Sequence, residues 1–99
     1  MTLDTHKPDM MRLCAQNKVK TLHAFGSVLT DRFGNNSDID LLVDIDVQDP
    51  FEYTDCYFNL KFALQDLFDR PIDLLESKAI RNDYLRREID NTKELVYAG

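Results

Sequence analysis

The segment from Asp38 to Asp46 alternates between apolar and acidic positions. Its sequence is Asp-Ile-Asp-Leu-Leu-Val-Asp-Ile-Asp, so most neighbours of an apolar residue are aspartates. Because successive side chains of a strand point to opposite faces, this period of two predicts a β-strand over Ile39–Ile45 with one apolar and one acidic face. Leu42 interrupts the acidic face, and we therefore expect that face to be partly covered.

The rest of the chain alternates between helical and extended patterns. Apolar residues three or four apart predict helices, whereas short apolar runs between turn residues predict strands. We predict a helix from Pro8 to Asn17, a strand from Val19 to Phe25, a loop from Asp31 to Ser37, a helix from about Asp49 to Phe68, a strand from Pro71 to Leu75, a helix from Lys78 to Asp90 and a strand from Glu94 to Tyr97. This order predicts a small α/β (α+β) domain in which helices flank a mixed sheet.

The long helix carries a start signal of its own. Asp49 can accept hydrogen bonds from the free amides of the first turn, Pro50 suits the first helical position, and Glu52 occupies the reciprocal capping position. Its buried stripe is predicted to comprise Tyr57, Leu60, Leu64, Leu67 and Phe68.

Size and charge narrow the possible functions. The chain has 99 residues, which fits a single domain over residues 1–99, and its formal net charge is −6. A protein that binds DNA or RNA by neutralising phosphates normally carries the opposite charge, so polymeric nucleic acid is not an expected ligand. A nucleoside triphosphate remains compatible, because divalent cations can join carboxylates to phosphates.

Composition also bears on location and on the cysteines. The first residues are polar without an apolar signal core, and the chain has no apolar run long enough to cross a bilayer, so we expect a cytoplasmic protein. Cys14 and Cys56 lie in predicted helices and lack the spacing of metal ligands. We interpret both as buried free thiols.

Three carboxylates form the candidate chemical site. Asp38 and Asp40 are two residues apart, so both side chains project from one face of the predicted strand. Asp73 stands between Ile72 and Leu74 in a later strand, and it completes a group of three carboxylates if the two strands adjoin. Such a group suits Mg²⁺, including a pair of ions, with substrate phosphates completing the coordination shell. We predict that Asp38, Asp40 and Asp73 are metal ligands and catalytic residues, the alternative being a solvated strand face, or an exposed edge position for Asp73.

A glycine-serine pair lies just before the acidic strand. Gly26 and Ser27 follow the strand Val19–Phe25, at the point where a turn begins. Glycine permits close approach of the backbone to a phosphate, and Ser27 adds a hydroxyl donor. We therefore predict that both residues bind the nucleotide phosphates.

Other polar residues on this face are given structural interpretations. His23 is expected to be packed or hydrogen-bonded within its strand. Asp44 and Asp46 continue the acidic face, but the rise of the strand carries them away from the ion site.

The motifs together resemble the signature of a known superfamily. The sequence from Phe25 to Ser27, followed by that from Ser37 to Val43, resembles the signature of the DNA polymerase β-like nucleotidyltransferases. The length and order of elements resemble the minimal nucleotidyltransferase (MNT) branch. The resemblance implies two magnesium ions and ATP as substrate, with Gly26 and Ser27 at the phosphates and Asp38, Asp40 and Asp73 at the metals.

The same resemblance implies a partner. Family members are commonly paired with an all-helical HEPN protein in toxin–antitoxin systems, in which the MNT member is the antitoxin and adenylylates a tyrosine of the toxin. Two alternatives remain, namely an antitoxin that occludes its toxin without chemistry and an adenylyltransferase for small molecules. Many relatives carry an arginine soon after the glycine-serine pair, whereas here the first one is Arg32. We predict that Arg32 contacts the nucleotide phosphates, the alternative being a solvated charge in the loop.

Overall fold

The computed structural model describes residues 2–29, 34 and 38–99. The elements follow in the order α1 (Thr2–Thr5), α2 (Lys7–Gln16), β1 (Val19–Phe25), a 3₁₀ turn (Gly26–Leu29), β2 (Ile39–Ile45), α3 (Pro50–Phe68), β3 (Ile72–Glu76), a second 3₁₀ turn (Ser77–Ala79), α4 (Asp83–Thr92) and β4 (Glu94–Ala98). This order confirms the predicted α+β class. The predicted loop over Asp31–Ser37 lies, except for Gly34, outside the described residues.

The four strands form one mixed sheet in the order β3-β2-β1-β4. β2 pairs in parallel with β3, whereas β1 pairs antiparallel with both β2 and β4. The central position of β2 explains why its apolar residues are fully buried on one face. It also places the acidic residues of β2 between two neighbouring strands.

One face of the sheet forms the core together with α2 and α3. The buried cluster joins strand residues to helix residues, and it includes Leu22, Ala24, Ile39, Leu41, Val43, Ile45 and Leu74 from the sheet and Met10, Cys14, Cys56, Leu60, Leu64 and Phe68 from the helices. Burial of such side chains is the main favourable term in folding. The prediction that both cysteines are buried free thiols is confirmed, and burial raises the pKa of Cys14 to about 12.

The helix α3 begins as its capping signal predicts. The Asp49 side chain accepts a hydrogen bond from the Glu52 amide at 3.1 Å, and Pro50 is the first helical residue. Of the predicted stripe, Leu60, Leu64 and Phe68 are buried, whereas Tyr57 and Leu67 are partly buried. Tyr57 uses its hydroxyl to donate to the Leu74 carbonyl at 2.6 Å, which ties α3 to β3.

The opposite, acidic face is partly covered, as the presence of Leu42 predicted. Leu42 is only 2% exposed. Lys78, in the second 3₁₀ turn, lies 3.4 Å from Asp44 on this face, and the Arg86 side chain of α4 donates to the Ser77 carbonyl in the same turn. The segment after β3 is thus fastened to the acidic face of β2.

The structure differs from the sequence prediction chiefly at two helices, while other element bounds shift by one or two residues. The last helix begins at Asp83 and not at Lys78. The reason is a cap: Asn82 has an extended backbone, and its side chain accepts a hydrogen bond from the Leu85 amide at 3.1 Å. A short helix, Thr2–Thr5, was also not predicted. None of the described helices is both long and apolar enough to span a membrane.

Candidate active site

Asp40 and Asp73 are direct neighbours in the sheet. They are register partners in the parallel β2–β3 ladder, each being the second residue of its strand. Register partners point to the same face, and adjacent strands lie about 4.8 Å apart. From the sequence, Asp73 was expected to lie near Asp40 only if their two strands were neighbours. The structure shows that β2 and β3 are neighbours.

Asp38 is held differently from the other two carboxylates. It lies just before β2, which begins at Ile39, and its side chain is exposed. The ladder therefore fixes only its C-terminal neighbour, whose amide donates to the Pro71 carbonyl at 3.2 Å. The described sheet alone does not fix the position of Asp38.

The negative charges of Asp38 and Asp73 act on Asp40. The pKa of Asp40 is raised above its ordinary value, first by burial and then by the negative charges of Asp73 and Asp38. Like charges oppose ionisation when they lie close together, and a nearby cation has the opposite effect. The pKa shift of Asp40 therefore reports that the three side chains share one electrostatic environment.

Gly26 lies against Asp40. Its φ is +75°, which L side chains rarely adopt, and a Cβ built on it would overlap Asp40 Oδ2 and lie 3.3 Å from Asp40 Cγ. The residue before it, Phe25, is the register partner of Asp40 across the β1–β2 ladder. Glycine is required here for two reasons, the backbone conformation and the space occupied by the carboxylate.

Two predicted phosphate contacts lie outside what the structure describes. Ser27 belongs to the 3₁₀ turn Gly26–Leu29, but its side chain is not among the described ones. Arg32 lies outside the described residues altogether. Their roles remain predictions from the sequence.

The donor set of this site matches magnesium in its chemistry. It consists of carboxylate oxygens without nitrogen or sulfur donors, which is the preference of hard cations such as Mg²⁺. Among the described residues, no group of three or more His, Cys, Asp or Glu side chains lies close enough together to hold a metal ion by itself. Mg²⁺ commonly uses one or two protein carboxylates and takes its other ligands from water and substrate phosphates, so an open carboxylate group fits this ion. Asp38, Asp40 and Asp73 are the residues that would hold it.

A cavity of about 450 Å³ adjoins the glycine turn. Gly26 and Leu29 line it from the turn, and Thr92 and Glu94 line it from the junction of α4 with β4. Its size lies in the range of small-molecule sites. A second cavity, of about 400 Å³, is lined by residues that include Tyr53, Glu76 and Arg81, and it lies at the far end of β3 from Asp73.

His23 lies on the acidic face but away from the carboxylates. It is the register partner of Leu42 and of Leu95, and it is partly buried. Its pKa is lowered, first by burial and then by the positive charge of Lys93. This environment agrees with the packed histidine that the sequence predicted.

Sequence reasoning overlooked Arg70. Its side chain donates from Nη1 to the Gly34 carbonyl at 3.0 Å, on the chain segment that leads to Asp38. The residue lies three positions before Asp73 and is followed by Pro71. The available signal was a basic residue just before the predicted strand Pro71–Leu75, which contains Asp73.

A mixed sheet that presents carboxylates from two parallel strands beside a glycine turn defines a class of enzymes, the nucleotidyltransferases. The comparisons with known proteins agree with this class. The family described as "Polymerase beta, Nucleotidyltransferase" matches residues 10–99. The chain belongs to that family and is a nucleotidyltransferase.

Individual relatives agree with this assignment. A protein of Methanocaldococcus jannaschii named "putative protein adenylyltransferase" is 34% identical over 82 residues, which cover 81% of this chain and 76% of the relative. The solved structure named "putative minimal nucleotidyltransferase" has a TM-score of 0.77 at 25% identity and covers 94% of this chain and 91% of its own.

A further solved structure shares the fold. It is a tri-AMPylated Shewanella oneidensis HEPN toxin in complex with MNT antitoxin, with a TM-score of 0.66 at 18% identity. The match covers 97% of this chain and 72% of the other.

Proposed function

We propose that this chain is a magnesium-dependent adenylyltransferase that transfers AMP from ATP to a tyrosine hydroxyl of a HEPN-type toxin and thereby acts as its antitoxin. The observation that carries the proposal is the pairing of Asp40 with Asp73 beside Gly26. The relative named for protein adenylylation and the AMPylated HEPN complex support the choice of donor and acceptor.

The reaction divides the carboxylates by role. The acceptor oxygen forms a bond to the α-phosphorus of ATP, the bond from that phosphorus to the β-phosphate bridging oxygen breaks, and pyrophosphate leaves. Bound Mg²⁺ supplies positive charge that offsets the charge developing on the phosphate oxygens. Asp38 and Asp40 would hold the ions. Asp73, which is exposed on the edge strand β3, accepts the acceptor's hydroxyl proton in this proposal.

The glycine turn binds the leaving part of the nucleotide. Gly26 brings backbone close to the carboxylates without a side chain, and amides of such turns bind phosphate oxygens. Ser27 and Arg32 add a hydroxyl and a positive charge to the same phosphates.

The decisive experiment uses α-³²P-ATP, Mg²⁺ and a purified HEPN-type protein from the same genome. We expect label on the HEPN protein with wild-type enzyme and no label with the Asp38→Ala/Asp40→Ala variant. A tyrosine-to-phenylalanine scan of the HEPN protein identifies the acceptor.

The same variant separates catalysis from simple occlusion. The toxic activity of the HEPN protein is measured after incubation with ATP and either wild type or the double variant. If wild type abolishes this activity and the double variant does not, neutralisation requires chemistry. Neutralisation by the dead variant would instead show occlusion. Label transfer to a small hydroxylated compound, and none to protein, would point to a small-molecule acceptor.

A further inference from the structure

We propose that Arg70 is a positioning residue that, through its contact with Gly34, restrains Asp38 and so sets the affinity of the site for divalent cations. The inference rests on the proposed function, since it concerns the same ion site. It assigns to Arg70 a contact with the backbone and not with the substrate.

Asp38 needs such a contact more than the other carboxylates do. Asp40 and Asp73 are internal to paired strands, and their register fixes both backbones. Asp38 precedes the first residue of β2 and has no ladder partner in the described sheet. An exposed residue just before a strand retains conformational freedom unless contacts hold the chain on both sides of it.

Local sequence chemistry places Arg70 where it can supply the anchor. Asp69 ends α3 in the left-handed conformation, with φ 52° and ψ 45°, which reverses the chain at the helix end. Pro71 follows, and a proline disfavours the helical conformation in the residue before it. Arg70 is therefore held between a turn and an extended segment, at the start of the strand that carries Asp73.

The turn between α3 and β3 contacts the chain once before Asp38 and once after it. Arg70 Nη1 donates to the Gly34 carbonyl at 3.0 Å, and the Pro71 carbonyl accepts from the Ile39 amide at 3.2 Å. These contacts bracket Asp38, one lying four residues before it and the other one residue after it. The bond to Pro71 belongs to the β2–β3 ladder, so the contact of Arg70 with Gly34 is the one that the ladder does not supply.

The test compares Arg70→Gln with Arg87→Gln, an equivalent change at an exposed arginine of α4. Binding of Mn²⁺ without nucleotide is measured by electron paramagnetic resonance, well below the melting temperature of each variant. We expect Arg70→Gln to weaken Mn²⁺ binding about 10-fold, a typical effect for residues that orient metal ligands. Arg87→Gln is expected to match wild type, and Arg70→Lys, which keeps a cationic donor, to lie between the two.

A double-variant cycle tests whether Arg70 acts through Asp38. In the Asp38→Asn background, Arg70→Gln should cause little further loss of Mn²⁺ affinity, because the side chain it positions is already altered. Additive losses would overturn the proposal. So would normal Mn²⁺ binding by Arg70→Gln with weakened ATP binding, since that pattern indicates a direct phosphate contact.

The outcome is separable from that of the proposed function. If wild type binds Mn²⁺ and Asp38→Asn does not, while Arg70→Gln behaves as wild type, only the role of Arg70 is refuted. If wild type binds neither Mn²⁺ nor Mg·ATP, both proposals fail.

Discussion

The two ends of the parallel β2–β3 pair treat their acidic residues in opposite ways. At the far end, where β2 approaches Ile45 and β3 ends at Glu76, Asp44 has the Lys78 ammonium 3.4 Å away, and Glu76 lies close enough to Tyr53 to raise the pKa of that phenol, which burial and this charge together bring to about 12. At the near end, where β2 and β3 begin, Asp40 is close to the carboxylates of Asp73 and Asp38. The pKa of Asp40 is raised first by burial and then by these two negative charges. Within the described residues, no salt bridge is made to Asp38, Asp40 or Asp73.

The difference separates acidic residues that pair with a cationic side chain of the protein from acidic residues that have no such partner and can bind an added cation. A partly buried carboxylate without a positive partner costs stability, and proteins keep such groups mainly at functional sites. Lys78 and Asp44 form an ion pair without a well-oriented hydrogen bond, because Asp44 Oδ1 is buried and has no hydrogen-bond partner among the described residues. Even so, its charge is balanced, whereas the negative charge of the near end is left for a cation to balance.

The largest expected effect comes from removing charge at each end in turn. Asp40→Asn should reduce adenylyl transfer about 10²–10⁴-fold, the range for loss of a positioned catalytic group. Asp44→Asn is the matched control, four residues and about 13 Å further along the same strand, and should retain near-wild-type activity. Initial rates with α-³²P-ATP measure both. Equal losses in the two variants would show that the ends do not differ in function.

Gly26 provides the next largest effect. In Gly26→Ala the new methyl overlaps the Asp40 carboxylate, and the backbone must keep a left-handed φ. Misplacing a reacting group by about 1 Å can cost on the order of 10²-fold in rate. The left-handed conformation adds roughly 1–2 kcal/mol of destabilisation, or several degrees of melting temperature.

Gly34→Ala is the matched control for stability. A Cβ built at Gly34 meets no atom of the described residues within 4 Å. Differential scanning fluorimetry should therefore show an unchanged melting temperature for Gly34→Ala. A Gly26→Ala variant with wild-type rate and melting temperature would contradict the close packing of Gly26 against Asp40.

Much of this arrangement was predictable because it is local. The strand β2 matches its prediction because the alternation of apolar and acidic residues has the period of a strand. The start of α3 matches because Asp49, Pro50 and Glu52 act within one turn. In both cases the deciding interactions lie within a few residues of each other.

What the sequence did not predict depends on weaker or longer-range contacts. The start of α4 was placed too early, because Lys78 extends the apparent helical pattern while the cap that decides the boundary is Asn82. The contact between Arg70 and Gly34 joins residues 36 positions apart and follows from strand pairing, which no local pattern encodes. Asp73 could be paired with Asp40 only after the strand order was known.

The pH dependence of nucleotide binding is the third test. The raised pKa of Asp40 means that this carboxyl gains its proton at a higher pH than an isolated aspartate, so Mg·ATP affinity should begin to fall at a correspondingly higher pH. Asp73→Asn removes one of the charges responsible and should move the Asp40 titration to lower pH. A ¹³C-carboxyl NMR titration of Asp40 in both proteins measures this shift. An Asp40 titration unchanged by Asp73→Asn would show that the two carboxylates do not interact.

The smallest expected effect is on stability, where the changes in melting temperature caused by Asp40→Asn and by Asp44→Asn should differ in sign. A folded-state pKa above the unfolded value means that ionised Asp40 opposes folding at neutral pH, and that this penalty disappears as pH falls through the folded pKa. Asp40→Asn should therefore equal or slightly exceed wild type in melting temperature at pH 7 without divalent cations. Asp44→Asn removes the partner of Lys78 and should lower it by a few degrees at most, since pairs with one exposed member contribute about 0–1 kcal/mol. Thermal denaturation in EDTA compares the melting temperatures of the two variants. A lower melting temperature for Asp40→Asn than for Asp44→Asn would contradict this prediction. It would mean that the Asp40 carboxylate stabilises the fold and is not an uncompensated charge.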